Sequence, residues 1–214
     1  MKNTVLYLIF ILSFSAKSQI NFKSEVEAIQ KTNKHLIKDE KNNIVFTGSS
    51  SIRIWKNLPE IFGNSRIVNT GFGGSKASDL LYFINELVID FNPTKVIIYE
   101  GDNDINSGQE ISLIYNNILK IIKKIKDKNN NIKIILISAK PSISRWHLRE
   151  KYIQLNNKYR ELANKSDYID FADTWSAMIE NGVLKKDIFV EDGLHLNEKG
   201  YEIWEKTLKK VFYK

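Results

Sequence analysis

Two kinds of apolar pattern alternate along the chain. Short, uninterrupted apolar runs end abruptly at glycine or polar residues, which is typical of strands buried on both faces of a parallel sheet. Between them, apolar residues recur every three or four positions, which predicts amphipathic helices. The predicted strands cover residues 43–47, 66–68, 95–99, 132–137 and 168–171. The alternation predicts an α/β domain with a five-stranded parallel sheet and helices on both sides.

The predicted helices differ in how regular their patterns are. The most regular pattern covers residues 75–91, and Asn92-Pro93 ends it. The last helix is expected to begin after Asn197, a favourable N-cap residue. Segment 173–191 is the least regular part and is expected to be a loop with one short helix near residues 175–179. Other amphipathic helices are predicted over residues 24–38, 111–125 and 148–162.

The N-terminal residues have the pattern of an export signal. Lys2 precedes a short apolar run, and the small residues Ala16 and Ser18 supply a cleavage site, which predicts a signal peptide over residues 1–18. The apolar run is short for a bilayer span, and an uncleaved N-terminal anchor is the alternative. Residues 19–214 are then expected to form a single domain that is secreted or periplasmic and has no stable membrane span.

Composition narrows the possible chemistry. The chain of 214 residues has no cysteine and three histidines, which excludes disulfides and thiol nucleophiles and disfavours a histidine-rich metal site. The net charge is +7. The excess lysines fall toward the ends of predicted helices and are not interleaved with aromatic residues, which favours solvated faces over a nucleic-acid surface. A metal site and a nucleic-acid partner are therefore not expected.

A serine-rich turn follows the first predicted strand. The apolar run through Phe46 stops at Gly48-Ser49-Ser50-Ser51. Ligands bind at the carboxyl edge of open α/β sheets, so a hydroxyl at this position faces a substrate. Ser50 is the candidate nucleophile. The alternative is that these serines only cap the start of a helix.

A histidine and a carboxylate lie close together before the last helix. His195 is three residues after Asp192 in a glycine-containing turn. This spacing allows the carboxylate to bind the imidazole Nδ1 and leaves Nε2 for a serine hydroxyl. A capping aspartate followed by a boundary histidine is the alternative interpretation.

A glycine-rich loop and an Asn-Asp turn follow two other predicted strands. Gly71, Gly73 and Gly74 allow the close backbone approach that an oxyanion donor needs, and their spacing differs from those of dinucleotide and phosphate loops. The Asn103 amide could add a side-chain donor to the same hole, or form an Asx turn. Loops that follow parallel strands converge on one edge, so these clusters are expected to meet.

The four clusters together resemble the four conserved blocks of the SGNH hydrolases, also called GDSL esterases. In this chain the blocks are Gly48-Ser49-Ser50, Asn69-x-Gly71-x-x-Gly74, Gly101-x-Asn103-Asp104 and Asp192-x-x-His195. The resemblance covers essentially the whole chain after residue 18. It implies a flavodoxin-like three-layer α/β/α sandwich.

The resemblance also implies roles for individual residues. Ser50 would be the nucleophile, and His195, oriented by Asp192, would act as general base and then as general acid. The backbone N–H groups of Ser50 and Gly74 and the side chain of Asn103 would be the oxyanion donors.

One position departs from the family pattern. The family usually has aspartate where this chain has Ser49, which leaves Ser51 as an alternative nucleophile. The stretch from Gly48 to Trp55 resembles the platelet-activating-factor-acetylhydrolase-like branch of the family.

The resemblance implies a serine esterase that works through an acyl-enzyme and needs no cofactor. A compact chain favours small acyl groups such as acetyl, carried on a carbohydrate or a lysolipid. Two other functions stay open, namely a non-catalytic glycan- or lipid-binding domain on the same fold and an acyltransferase. Trp55, Phe72 and Trp146 either line the substrate pocket or belong to the core.

Overall fold

The structure is a computed structural model that describes residues 22–37 and 42–214. The predicted signal peptide, residues 1–18, lies outside the described residues. The division of the chain into a signal peptide and one domain therefore stays a prediction.

Five parallel strands form the central sheet, in the spatial order β2-β1-β3-β4-β5. This is the flavodoxin-like order, and it reverses between β1 and β3. All five predicted strands are present within two residues of their predicted ends. The strands are β1 (Asn43–Gly48), β2 (Ile67–Asn69), β3 (Pro93–Tyr99), β4 (Lys133–Ile137) and β5 (Ile169–Ala172).

Helices connect the strands and close the domain. An N-terminal helical segment covers residues 22–37, with a turn at residue 33. Single 3₁₀ turns lie at Ile89–Phe91 and Trp146–Leu148. The numbered helices are α1 (Ser50–Ile54), α2 (Leu58–Ile61), α3 (Ala77–Tyr82), α4 (Ile84–Leu87), α5 (Asp102–Asn106), α6 (Ile111–Lys128), α7 (Arg149–Asn164), α8 (Thr174–Ala177) and α9 (Glu198–Phe212).

The sheet buries both of its faces. Along β3, Val96 and Ile98 belong to one apolar cluster, together with side chains from α3, α6 and α7. Ile97 and Tyr99 belong to a second cluster, together with side chains from α1 and α9. Successive strand side chains point to opposite faces, so an uninterrupted apolar strand requires a helix layer on each side. The predicted three-layer α/β/α sandwich is confirmed.

The helix predicted over residues 75–91 is interrupted in the structure. The backbone leaves the helical conformation at Phe83 and again at Val88, which separates α3, α4 and a 3₁₀ turn. Leu80, Ile84 and Leu87 are nevertheless fully buried. Periodicity reports which positions are buried, and consecutive short helices bury the same positions as one continuous helix.

Segment 173–191 has more structure than its sequence pattern predicts. The predicted short helix is α8, and it is followed by an antiparallel hairpin of β6 (Ile179–Glu180) and β7 (Val183–Leu184). Asn181 and Gly182 form its turn with positive φ values of 50° and 79°. An Asn-Gly pair is typical of a hairpin turn, and it was the feature of the sequence from which this hairpin could have been predicted. Two-residue strands are too short to produce a periodic pattern.

No helix within residues 22–37 and 42–214 is long and apolar enough to cross a membrane.

β1 ends at Gly48 in a conformation that other residues rarely adopt. Its φ is +130°, and a Cβ at this position would lie 2.0 Å from the carbonyl oxygen of Tyr99 on β3. The close approach allows the Ser49 N–H to donate to that same oxygen at 3.1 Å. This bond directs the chain out of the sheet, so that Ser50 begins α1 at the carboxyl edge between β1 and β3.

We expect Gly48→Ala to lower the free energy of unfolding by about 3 kcal/mol, because it adds backbone strain and a clash with a backbone atom. Urea unfolding followed by tryptophan fluorescence measures the change. Gly63→Ala is the matched control. Gly63 has a φ of +61° but nothing within 4 Å of an added Cβ, so strain alone is expected to cost about 1 kcal/mol. Equal losses in the two variants would contradict the steric argument.

Candidate active site

Three side chains from opposite ends of the chain form a continuous hydrogen-bonded row. The Oγ of Ser50 lies 3.0 Å from Nε2 of His195. The other ring nitrogen of His195, Nδ1, lies 2.5 Å from Oδ2 of Asp192. The sequence-predicted nucleophile, base and carboxylate are therefore in contact with one another. With Nδ1 donating to the carboxylate, Nε2 is free to accept the serine proton.

The Asp192 carboxylate is held by its own turn. Its Oδ1 accepts hydrogen bonds from the backbone N–H groups of Leu194 at 2.8 Å and His195 at 2.9 Å, which leaves Oδ2 for the imidazole. Partial burial alone raises the pKa of Asp192, but the hydrogen bonds from His195 and Leu194 outweigh it and lower that pKa to about 2. Asp192 is therefore ionised at neutral pH, as a partner for an imidazolium must be.

The three serines of the turn differ in capping and in exposure. Ser49 is the N-cap residue of α1, and its side chain makes no capping hydrogen bond. Ser50 is the first helical residue and is partly exposed, whereas Ser49 and Ser51 are each 2% exposed. The structure thus brings Ser50, and not the alternative Ser51, to the imidazole.

The glycine-rich loop is fixed against α1 by Asn69 and Gly71. The Asn69 amide donates to the carbonyl oxygens of Ile52 at 2.7 Å and Trp55 at 3.1 Å, and its Oδ1 accepts from the Gly71 N–H at 2.9 Å. A Cβ on Gly71 would lie 2.3 Å from the backbone nitrogen of Arg53. The loop therefore lies directly on the first turns after the nucleophile.

The predicted oxyanion donors follow the carboxyl ends of three neighbouring strands, β1, β2 and β3. Nδ2 of Asn103 donates to the carbonyl oxygen of Ser75 at 2.9 Å, which places Asn103 beside Gly74. Gly74 is exposed at the tip of its loop. The N–H of Ser50 is at the start of α1, where helix geometry leaves N–H groups without intrahelical partners. The structure thus joins Asn103 to the glycine loop, and the role of the three groups as oxyanion donors stays a prediction.

A buried charge cluster, formed by Asp102, Lys140 and Arg145, lies beneath the site. Asp102 accepts from Arg145 at 2.6 Å and from Lys140 at 3.4 Å. Burial alone raises the pKa of Asp102, but the two cations and Tyr152 outweigh it and hold that pKa at about 2. Lys140 also donates to the carbonyl oxygen of Leu194 at 2.6 Å. The cluster thus connects α5 with the turn that carries His195.

Two further carboxyl groups behind the glycine loop have raised pKa values. Burial raises the pKa of Glu100 well above its usual value, and it accepts from the Ser75 hydroxyl at 2.7 Å. Burial also raises the pKa of Asp104 to about 7, although Asp104 accepts from the Ala77 N–H at 3.1 Å. Both groups thus hold the end of the glycine loop and the start of α3, which follow Gly74.

Sequence reasoning missed several residues that hold the site together. Glu25, in the N-terminal helical segment, accepts from the Gly73 N–H at 3.1 Å and from Arg53 at 3.4 Å. Its position in a predicted amphipathic helix gave no signal of these contacts. Lys140 and Arg145 are isolated charges around a proline, and no motif distinguished them.

The aromatic candidates divide between core and site margin. Trp55 and Phe72 are 3% and 0% exposed and belong to the two apolar clusters. Trp146 is partly exposed and stacks on Trp175 with ring centroids 6.1 Å apart. Only Trp146 of the three remains a candidate for contact with substrate.

No group of three or more His, Asp or Glu side chains among residues 22–37 and 42–214 is arranged to hold a metal ion.

A parallel α/β sandwich with a Ser–His–Asp row at its switch point is typical of serine hydrolases. The model of the GDSL-like lipase/acylhydrolase family matches residues 46–203 of this chain. The chain belongs to this family and is an ester-hydrolysing enzyme. No curated protein matches the chain by sequence.

Solved structures of the same fold are similar to nearly the whole chain. One, a Streptococcus pneumonia protein named as a candidate platelet activating factor, is 28% identical over 94% of this chain and 99% of its own, with a TM-score of 0.77. A candidate acylhydrolase from Bacteroides fragilis is 23% identical over 86% of this chain and 95% of its own, with a TM-score of 0.72. An acetylxylan esterase from Geobacillus stearothermophilus is 17% identical over 80% of this chain and 95% of its own, with a TM-score of 0.66.

We expect Asp192→Asn to lower kcat/KM for an ester by about 10³- to 10⁴-fold. The new amide would accept the backbone N–H groups with its oxygen and present its NH₂ group to Nδ1, which forces the proton onto Nε2. Because the pKa of Asp192 is about 2, Asp192 stays ionised from neutral to alkaline pH, and the loss should be the same across that range. Kinetics across a pH series measure it, with Glu191→Gln as the neighbouring-carboxylate control. A loss that disappears at alkaline pH would contradict this role.

Proposed function

We propose that the protein hydrolyses carboxylic esters by a two-step acyl-enzyme mechanism at Ser50. One observation carries the proposal, namely the row of contacts from Ser50 Oγ to His195 Nε2 at 3.0 Å and from His195 Nδ1 to Asp192 at 2.5 Å. A serine hydroxyl is a weak nucleophile unless an adjacent base removes its proton, and this row supplies the base and its orienting carboxylate.

Each residue has a defined task in the two steps. Ser50 Oγ attacks the ester carbonyl while its proton moves to Nε2 of His195, and Asp192 stabilises the resulting imidazolium. The N–H groups of Ser50 and Gly74 and the amide of Asn103 bind the oxyanion of the tetrahedral intermediate. His195 then gives the proton to the leaving alcohol, which leaves an acyl group on Ser50. In the second step, water attacks that group through the same base, and the acid and free enzyme are released.

The exposure of the catalytic row supports a substrate with a large leaving group. The side chains of His195 and Asp192 are 27% and 46% exposed, so the imidazole edge is open to solvent. One fold neighbour is named as an acetylxylan esterase and another as a candidate platelet activating factor. Acetyl or another short acyl group on a carbohydrate or a lysolipid is the substrate class that we propose.

The proposed site of action is outside the cytoplasm. The pattern of residues 1–18 supports export by a cleavable signal peptide, with secretion or release to the periplasm. A chain without cysteine can be exported without depending on disulfide formation.

We expect Ser50→Ala in residues 19–214 to lower p-nitrophenyl acetate turnover by about 10³-fold or more, because the acyl acceptor is removed. Ser51→Ala is the matched control. Ser51 is buried one residue further along α1, so its variant should keep activity within about 3-fold. Equal rates for wild type and Ser50→Ala would favour a non-catalytic glycan- or lipid-binding domain. Loss of activity in Ser51→Ala but not in Ser50→Ala would show that Ser51 is the nucleophile.

We expect specificity constants to fall as the acyl chain lengthens, with acetyl esters of sugars or of a lysolipid among the best substrates. A panel of acetylated sugars, lysolipid acetyl esters and short-chain to long-chain p-nitrophenyl esters measures the ranking. Adding a free sugar or alcohol to the reaction tests acyl transfer, since a transferase would divert the acyl product from free acid to a new ester. A preference for long acyl chains would contradict the proposed substrate class.

A further inference from the structure

One cation contacts both the predicted oxyanion donor and a buried carboxylate. Nη1 of Arg145 donates to Oδ1 of Asp102 at 2.6 Å and to Oδ1 of Asn103 at 3.2 Å. The Arg145 side chain is only 12% exposed. None of the tasks described above for ester hydrolysis requires this residue.

The contact with Arg145 fixes the orientation of the Asn103 amide. The carbonyl oxygen of Ser75 accepts from Nδ2 at 2.9 Å, while the guanidinium faces Oδ1. A flipped amide would set two donors against each other at Arg145 and two acceptors against each other at Ser75. Only the observed orientation satisfies both neighbours, and it leaves the second Nδ2 hydrogen available for an oxyanion.

We propose that Arg145 is a positioning residue for the oxyanion hole, which orients and polarises the Asn103 amide. The inference rests on the proposed function, because it requires Asn103 to donate to the tetrahedral intermediate. A cation at the amide oxygen draws electron density from the nitrogen, so the N–H becomes a stronger donor to developing negative charge.

Asp102 holds Arg145 in place. One carboxylate oxygen accepts from Arg145 and from the Tyr152 hydroxyl at 2.5 Å, and the other accepts from the Tyr99 hydroxyl at 3.0 Å and from Lys140. Four donors fix the plane of this carboxylate, whose side chain is 6% exposed. The guanidinium is therefore bound to a rigid partner and not to a mobile surface group.

Stacked rings support the segment that carries Arg145. The next residue, Trp146, stacks on Trp175 with an interplanar angle of 12°, and Trp175 stacks on Tyr152 at 5.8 Å. Tyr152 is the same residue that donates to Asp102. The backbone at Arg145 is thus tied to the carboxylate that its side chain binds, which limits the positions that the guanidinium can take.

A double-mutant cycle of Arg145→Met and Asn103→Ala tests the proposal with p-nitrophenyl acetate. Loss of one oxyanion donor costs about 10²- to 10³-fold in kcat, so a misoriented and less polarised donor should cost about 10- to 100-fold, with KM changed by less than about 3-fold. In the Asn103→Ala background, Arg145→Met should lower kcat by no more than about 3-fold, because the group through which it acts is absent. An equal loss of kcat in both backgrounds would overturn the proposal.

Two further variants separate positioning from stability. Arg145→Lys keeps a cation beside Asp102 and is expected to fold and to restore part of kcat, so the same cycle with this variant gives a result even where Arg145→Met does not fold. A loss in Arg145→Lys that Asn103→Ala does not suppress would equally overturn the proposal. Arg160→Met is the matched control, since Arg160 forms a partly exposed ion pair with Asp173 at 2.9 Å and should change kcat by less than about 2-fold.

A readout that does not need activity distinguishes failure of this inference from failure of the proposed function. The side-chain amide resonances of Asn103 in an ¹⁵N spectrum are assigned by their loss in Asn103→Ala. Arg145→Met should shift them, and Arg160→Met should not. Unshifted Asn103 resonances in a folded Arg145→Met protein would overturn the inference while the proposed function stands. Shifted resonances together with an inactive wild type, or with Ser50→Ala as active as wild type, would instead overturn the proposed function, and with it the oxyanion role of the amide that Arg145 orients.

Discussion

The contact between Ser50 and His195 joins residues 145 positions apart, and everything else at the site depends on keeping it. Ser50 is fixed because it begins a helix directly at the end of a central strand. His195 follows no strand of the central sheet directly, and other contacts must hold its turn. Lys140 donates to the Leu194 carbonyl, Asn197 caps α9 by accepting from Gly200, and the Tyr201 hydroxyl donates to the Ser51 carbonyl at 2.8 Å.

Buried polar groups make several of those contacts, and burying such a group costs free energy of folding unless it has a hydrogen-bond or ion-pair partner. Lys140 is fully buried, and leaving its ammonium unpaired would cost several kcal/mol, so Asp102 and the Leu194 carbonyl are needed as partners. Glu100 and Asp104 differ from Lys140 and Asp102, because burial raises the pKa values of these two carboxyl groups and favours their neutral forms. Carboxyl groups with lowered and with raised pKa values thus lie within five residues of one another, and burial together with the local partners of each decides the direction.

The sheet and the row of Ser50, His195 and Asp192 could be predicted because each leaves a local pattern. Continuous apolar runs specify strands buried on both faces, and polar clusters at their ends specify the edge where chemistry occurs. Arg145 and Glu25 leave no such pattern. Their importance lies in partners 42 and 48 positions away, which only the folded chain brings into contact. The prediction of one continuous helix over residues 75–91 was wrong for a related reason, because the periodicity of buried positions does not report whether the helical backbone is continuous.

The order of the strands explains why Gly74, one of the predicted oxyanion donors, needs more support than Ser50. β1 and β3 are neighbours at the point where the order reverses, so Ser50 and α5 start from adjacent strand ends. Gly74, by contrast, extends from the short edge strand β2 on a loop that Asn69 and Glu25 fix from one side and Ser75 from the other. Asn103 can bind an oxyanion together with Gly74 only if loop and helix keep one relative position. The Asn103–Ser75 hydrogen bond sets that position. Arg145 binds the oxygen of the amide, so that its NH₂ group makes this bond.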